Sequence, residues 1–291
     1  MFSNATIYLI KDGSFNQKLD SAIELLSNDL FQPCEAGQEK SIGWVAPRDE
    51  NGALIECIDG QWILCFKTEV KTIPASAITK ELKLRIVNHE NTTGCKPGKK
   101  RIREIKDEIK TDFMPRAFSK ESRSFVWIDC KKQRIVIDTS TQSKADIIAT
   151  SLVKCFDGLI FELSHHKTSP VQAMSQWLTI EQPYHFSVDR DCELKASDES
   201  KALVKYANHR LDIDEVAVHI KDGKLPTKLG MTWNDRISFQ YSLNNSFKKI
   251  NFLDLSKDKS NERDGFDADV LIFTSEFSAL IDDLNLAFSG E

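Results

Sequence analysis

Residues 74–118 read PASAITKELKLRIVNHENTTGCKPGKKRIREIKDEIKTDFMPRAF, and the periodicity inside this stretch sets the architecture. Pro74 stands where a first helical residue would, a position whose N–H no helix satisfies anyway. Beyond it, Ile78, Leu82 and Ile86 make a narrow apolar stripe. Asn91-Thr92-Thr93-Gly94 and Pro97-Gly98 break the chain. Helical spacing resumes over Lys99–Phe113, with Ile102, Ile105, Ile109 and Phe113 on one side and bases elsewhere. Pro115 stops this second helix. Two amphipathic helices with a short break between them form an αα-hairpin. Its place between strand-like segments predicts a protruding arm.

Working outward, Ala5–Ile10 alternates like a half-buried strand. Ser14-x-x-Gln17 then reads as a capping box for a helix carrying Phe15, Leu19, Ile23, Leu26 and Leu30. Short strands are expected around Gly43–Ala46 and Trp62–Phe66, set apart by Asn51-Gly52 and Asp59-Gly60 turns. After the arm, Phe118 is expected in a polar loop beside Arg116, Lys120 and Arg123. Phe125–Asp129 and Arg134–Asp138 form a hairpin across the basic turn Cys130-Lys131-Lys132-Gln133. Ser143 is expected to cap a helix with Ile147, Ile148, Leu152 and Phe156, and Ser169-Pro170 to open another that ends near Leu178. Strands follow at Tyr184–Val188, Ala202–Tyr206, Arg236–Tyr241 and Phe247–Phe252. They are interrupted by a helix opened by Asp212-x-x-Glu215 and closed by Gly223. Val270–Phe273 reads as a buried strand before a last helix through Phe277, Leu280, Ile281, Leu284 and Phe288. Strands and helices mix without strict alternation, which predicts an α+β fold.

The chain has 291 residues, 41% hydrophobic and 29% charged, enough for a sizeable core in one large domain or two small ones. No apolar run of about 18 residues suggests a membrane span, and the N-terminus does not read as a signal peptide. Seven scattered cysteines without a CxxC pair suggest reduced thiols in a cytosolic protein rather than a disulfide framework or zinc site.

Net charge is −5, which on average argues against a nucleic-acid partner, but the charge is unevenly placed. Residues 96–106 hold six bases (Lys96, Lys99, Lys100, Arg101, Arg103, Lys106) against Glu104 alone. Residues 116–134 hold Arg116, Lys120, Arg123, Lys131, Lys132 and Arg134 against two acids, whereas 251–291 hold ten acids and three bases. An acidic chain can still focus positive potential in one place. The competing expectation is a merely solvated helix face.

Catalytic signals are weak. Gly94-Cys-Lys-Pro-Gly98-Lys99-Lys100 lacks both the spacing and the Ser/Thr of a phosphate loop. His165-His166 have poor metal geometry on an extended segment and are expected on a surface or in a loop. Asp267-x-Asp269 places two carboxylates on one side of an extended segment, which suggests a metal-dependent nuclease only if other acids converge. Glu262 and Asp264 nearby are expected in a loop. No serine elbow or cysteine nucleophile context is present. The expectation is a protein without catalytic residues, metal or cofactor. Phe118 either anchors its loop to its own core, stacks on a base or docks in a partner subunit.

Blocks spread through the chain carry a resemblance: Phe31-x-Pro-Cys34, Ser41-x-Gly-Trp-Val-x-Pro47, Ile73-Pro-Ala-Ser-Ala-Ile78, Pro115-Arg-Ala-Phe-Ser119, Val126-Trp-Ile-Asp129, Leu178, Thr227-Lys-Leu-Gly-Met-Thr-Trp-Asn-Asp-Arg-Ile237 and Phe266-Asp-Ala-Asp-Val-Leu-Ile-Phe-Thr274. In order and content they resemble the bacterial recombination-associated RdgC family. The resemblance implies a non-enzymatic, nucleoid-associated cytoplasmic protein that binds double- and single-stranded DNA with little sequence preference. It implies a horseshoe subunit with mixed sheets, a helical tip and a strand-rich base. Two subunits would close into a ring homodimer around duplex DNA and limit RecA access. The matching regions are a central part (1–73 and 115–168), a tip (74–114) and a base (169–291). Phe118 matches the family's loop phenylalanine, which implies an anchor in the neighbouring subunit. Asn4–Ile10 is neutral where the family commonly has bases. Over 179–208 the match is weak, with Lys205, His209 and Arg210 the bases that correspond to the hole lining. The expected phosphate contacts are Lys96, Lys99, Lys100, Arg101, Arg103, Lys106, Arg116, Lys120, Lys131, Lys132, Lys205, Arg210, Lys224 and Lys228. Two other readings are a metal-dependent nuclease at Asp267 and Asp269, and a protein that binds RecA directly and DNA incidentally.

Overall fold

The computed structural model describes residues 2–49, 51–197, 202–209, 211, 213–253 and 262–289. The first half runs β1 (Asn4–Ile10), α1 (Leu19–Ser27), β2 (Lys40–Val45), β3 (Glu56–Ile58), β4 (Gln61–Thr72), α2 (Ala75–Thr93), α3 (Lys99–Phe113), β5 (Phe118–Asp129), β6 (Arg134–Ile137) and α4 (Gln142–Cys155). The second half runs β7 (Phe161–Leu163), α5 (Pro170–Thr179), β8 (Phe186–Ala196), β9 (Leu203–Tyr206), α6 (Ile213–Lys221), β10 (Lys224–Trp233), β11 (Ile237–Ser242), β12 (Ser246–Phe252) and α7 (Glu262–Ser289). The fold is α+β, as expected.

The strands of the described residues form one antiparallel sheet ordered β2-β4-β5-β6-β1-β12-β11-β10-β8-β9, with β3 on β4 and β7 on β1. β1 is the junction. One edge pairs with β6, and the other pairs with β12 and then β7. It is therefore buried on both faces rather than half-buried: Ala5 and Ile7 enter one core, Tyr8 and Ile10 the other. The same two-residue period sorts Trp62, Leu64, Val126, Ile128, Ile135 and Ile137 to the α1/α4 side, and Ile63, Trp127 and Val136 to the α7 side. Covered on both faces, these strands read as continuous apolar runs.

α7 corrects the expected Val270–Phe273 strand. A short apolar run is compatible with either element. Here Val270, Phe273, Phe277, Leu280, Ile281, Leu284 and Phe288 continue at helical spacing, and all are buried. Phe273 stacks on Phe2 (4.4 Å between centroids) and meets Trp127 edge-on (5.9 Å), closing the core over the sheet.

The capping box also fails. α1 starts only at Leu19, and Ser14 Oγ donates instead to Lys11 O (2.7 Å) and Ile160 O (2.9 Å). Leu30 lies past the helix, bridged to Trp44 in β2. Ser143 sits inside α4, whose N-cap is Thr141, whereas Ser169 does cap α5, accepting from Gln172 N (3.3 Å). Asp212, the expected start of α6, lies outside the described residues. β10 carries no strand signal in the sequence because Pro226 and Gly230 interrupt it. The sheet absorbs both with register shifts against β8.

Candidate nucleic-acid interface

The arm forms as its sequence dictates. α2 ends at Gly94, whose φ of 73° is a left-handed cap that glycine adopts without strain, its N–H donating to Glu90 O (2.8 Å). α3 packs through buried Ile105 and Ile109. Arg85 bonds Glu81 (3.0 Å) on its own helix and Asp112 (2.7 Å) on α3, clamping the pair. α2 buries no side chain fully, and Leu84 and Val87 are exposed along it.

Around this arm, Lys96, Lys99, Lys100, Arg103 and Lys106 are exposed and make no ion pair among the described residues. Arg101 differs, held by Glu104 (3.2 Å) and Glu108 (2.9 Å). Arg116 closes the 3-10 turn Met114–Arg116. Phe118 is not in a loop: it is the first residue of β5, paired with Thr72, and 85% exposed. β5 begins seven residues earlier than its apolar content suggested, because polar Ser119–Ser124 extends the ribbon that β4 templates. Phe118 lines an open, mainly apolar pocket of about 430 Å³ with Ile73, Pro74, Ala77 and Phe113, to which Asp112 and Arg116 add charge.

The remaining candidates fall in two other places. Lys131 and Lys132 form the β5–β6 turn, where Asp129 accepts from both backbone N–H groups (3.1 and 3.0 Å). Lys131 is exposed, but Lys132 reaches α7, donating to Ser278 Oγ (2.9 Å) and pairing with Asp282. Behind it, Arg134 and Asp129 are 3% and 2% exposed and 3.6 Å apart, and Arg134 also bonds Asp282 (3.2 Å) and Ser278 (2.7 Å). The third group crosses β9–β8–β10, where Lys205, Glu193 and Lys228 stand in one cross-strand row. Burial would raise the Glu193 carboxyl, but bonds from Lys228 (2.6 Å) and Thr227 (2.7 Å) outweigh it and hold it below the ordinary range. Lys224 Nζ meets His219 Nδ1 (3.1 Å). Lys205 is exposed, and Arg210 lies outside the described residues. Lys40 and Lys144, which no linear pattern connects with Lys120, are drawn beside it by the β2–β4–β5 pairing and α4.

The acids at 267 and 269 are corrected. Both lie in helical α7, where a two-residue spacing points side chains apart, and Asp267 pairs with Arg48. Glu262 is the first residue of that helix, not part of a loop. Among the described residues no three His, Cys, Asp or Glu side chains converge as a metal site. His165 is exposed, but its neighbour His166, though in a loop, stacks on Phe288 (3.8 Å) and bonds the Tyr241 hydroxyl (2.9 Å). No helix among the described residues is long and apolar enough to cross a membrane.

Comparison with known proteins converges on one family. A family model described as "Putative exonuclease, RdgC" matches residues 1–291. A recombination-associated protein RdgC from Janthinobacterium sp. (strain Marseille) is 40% identical over 278 residues, 92% of each chain. The protein of that name from Dechloromonas aromatica (strain RCB) is 35% identical over 299 residues, covering 100% of this chain and 98% of its own. With the family model matching all 291 residues and these relatives matching over more than nine-tenths of their own length, this protein belongs to the RdgC family of recombination-associated proteins.

Proposed function

We propose that the chain is a DNA-binding protein without sequence preference that acts as a ring-shaped homodimer encircling duplex DNA. It also binds single strands and limits RecA access during recombination by occupying DNA in the nucleoid. The observation that carries this reading is the run of exposed bases on the two-helix arm that make no ion pair among the described residues. Lysine and arginine contacts to phosphate release counterions and give affinity without reading bases. Phe118 supports the closure. An exposed phenylalanine beside an open apolar pocket is self-complementary, so a two-fold axis satisfies knob and pocket twice. Leu84 and Val87 are further apolar side chains exposed on α2. In this reading 74–114 is the tip, flanked by central 1–73 and 115–168, with 169–291 the base. Lys96, Lys99, Lys100, Arg103, Lys106, Arg116, Lys120, Lys131 and Lys205 are the leading phosphate contacts. Arg101, Lys132 and Lys228 spend their charge partly on internal acids.

The test is fluorescence anisotropy on two unrelated duplexes over a salt series, beside a sizing column. Equal affinities, a steep negative salt slope and a dimer mass are expected. A strong preference for one duplex, or a flat slope, contradicts the reading. Because the family model's description names an exonuclease, supercoiled and linear DNA are also incubated with magnesium or manganese. Intact substrate is expected, and shortening of linear ends would establish an enzyme. RecA inhibition that persists with long DNA in excess would instead favour direct contact with RecA.

A further inference from the structure

The ribbon β2–β4–β5 has two faces with opposite treatments. On one, residues 28–38 fold over the strands. Gly43 lies so close to the Phe31 backbone that a Cβ would come within 2.4 Å, Cys34 N donates to Glu69 (2.8 Å), and Lys71 Nζ bonds Glu35 O (2.6 Å). The acids of the ribbon lie on this same face: Glu69 is buried under that segment, and Glu121, more than half exposed, pairs with Lys67 (2.8 Å). The other face continues the layer that packs on α4 but runs past the end of that helix. It is left open as a trough of about 380 Å³.

Three lysines from separate parts of the chain line the trough: Lys40 from β2, Lys120 from β5 and Lys144 from the first turn of α4. None makes an ion pair among the described residues, and no carboxylate lines the trough. Between them stand Thr68, Ser122 and Ser124, whose hydroxyls have no protein partner among the described residues. Val70 and Ile147 supply an apolar floor. Unneutralised ammonium groups, free hydroxyls and an apolar surface together match a phosphodiester chain with its bases unstacked.

We propose that this trough is a track for the sugar–phosphate backbone of single-stranded DNA, separate from the basic arm. The inference rests on the DNA-binding function proposed for the chain and adds where a single strand lies. Full-length chain is titrated with an oligothymidine strand and with a duplex across a salt series. The double variant Lys40→Ala/Lys144→Ala is compared with the arm variant Lys99→Ala/Lys100→Ala/Arg103→Ala. Both double-variant positions are surface lysines, and circular dichroism with thermal melting checks that each variant folds. The trough variant is expected to lose roughly tenfold in single-strand affinity. Its single-strand salt slope should shrink by about 1.4, at ~0.7 per lost contact, with the duplex changed much less. Unchanged single-strand affinity and slope, with the arm variant impaired, would overturn the trough while leaving the DNA-binding function standing. Equal losses on both DNAs would overturn the single-strand assignment. An unsubstituted chain that binds neither DNA would overturn the proposed function and the trough with it.

Discussion

Arg134 and Asp129 show how a single pair can be structural inside an otherwise basic segment. Both are almost wholly buried, and Asp282 of α7 completes the network, so the β5–β6 turn is tied to the last helix by charge as well as packing. Removing one member leaves the other charged in a dry site. Arg134→Met is therefore expected to cost about 3–5 kcal/mol in urea unfolding. Lys132→Ala, half-exposed, is expected to cost under about 1 kcal/mol and to leave the DNA salt slope unchanged. A slope that shrinks would return Lys132 to the DNA surface. His166 is a second residue with a structural job. Burial first, then His165 alongside, lowers its imidazole from 6.5 to about 4. The unfolded chain then binds a proton that the folded chain refuses, so stability is full above about pH 6.5 and falls as pH drops towards 4. The loss is at most about 3 kcal/mol, less whatever residual solvent contact screens. His166→Phe, which can keep the stack on Phe288, is expected to flatten that part of the stability–pH profile. An unchanged profile would assign the acid sensitivity elsewhere.

At the scale of elements, buried Ile105 and Ile109 and the Arg85 clamp hold the arm's two helices together. Ile109→Ala is expected to cost about 2–4 kcal/mol locally. In hydrogen exchange, 75–113 should lose protection while β1, β5 and β6 keep theirs, and duplex affinity should fall. Uniform loss of protection would show the arm to be part of the main cooperative unit. The arm was also the most legible part of the sequence. Lys99–Phe113 is reproduced to the residue because its isoleucine spacing, its glycine break and Pro115 all agree locally. Legibility failed where tertiary contacts decided. The run Val270–Phe273 fits a strand or a helix, and only burial of Phe277, Leu284 and Phe288 against the sheet selects the helix. The polar half of β5 is a strand because β4 pairs with it, not because Ser119–Ser124 prefers one. The same limit applies to the candidate site. Bases adjacent in sequence on the arm could be read, whereas Lys40, Lys120 and Lys144, meeting across three elements, could not.

The whole molecule explains how a chain of net charge −5 can present a basic surface. Four acids of α7 are engaged within the fold: Asp267 with Arg48, Glu276 with Arg236 (2.7 Å), Asp282 with Lys132 and Arg134, and Asp283 accepting from Trp233 Nε1 (2.8 Å). The arm's exposed lysines make no such pairs among the described residues, so their positive charge is not neutralised within the fold. In the proposed ring, Phe118 carries one closure, and Phe118→Ala is expected to shift the sizing profile towards monomer at low micromolar concentration without lowering the melting temperature of the fold. A dimer unmoved by that change would place the contact elsewhere. The claim of encirclement is tested most directly by loading the protein on covalently closed circular duplex and challenging it with high salt before and after linearisation. A ring stays threaded on the circle when its phosphate contacts are screened and slides off the cut ends. Equal release from circular and linear DNA would contradict it.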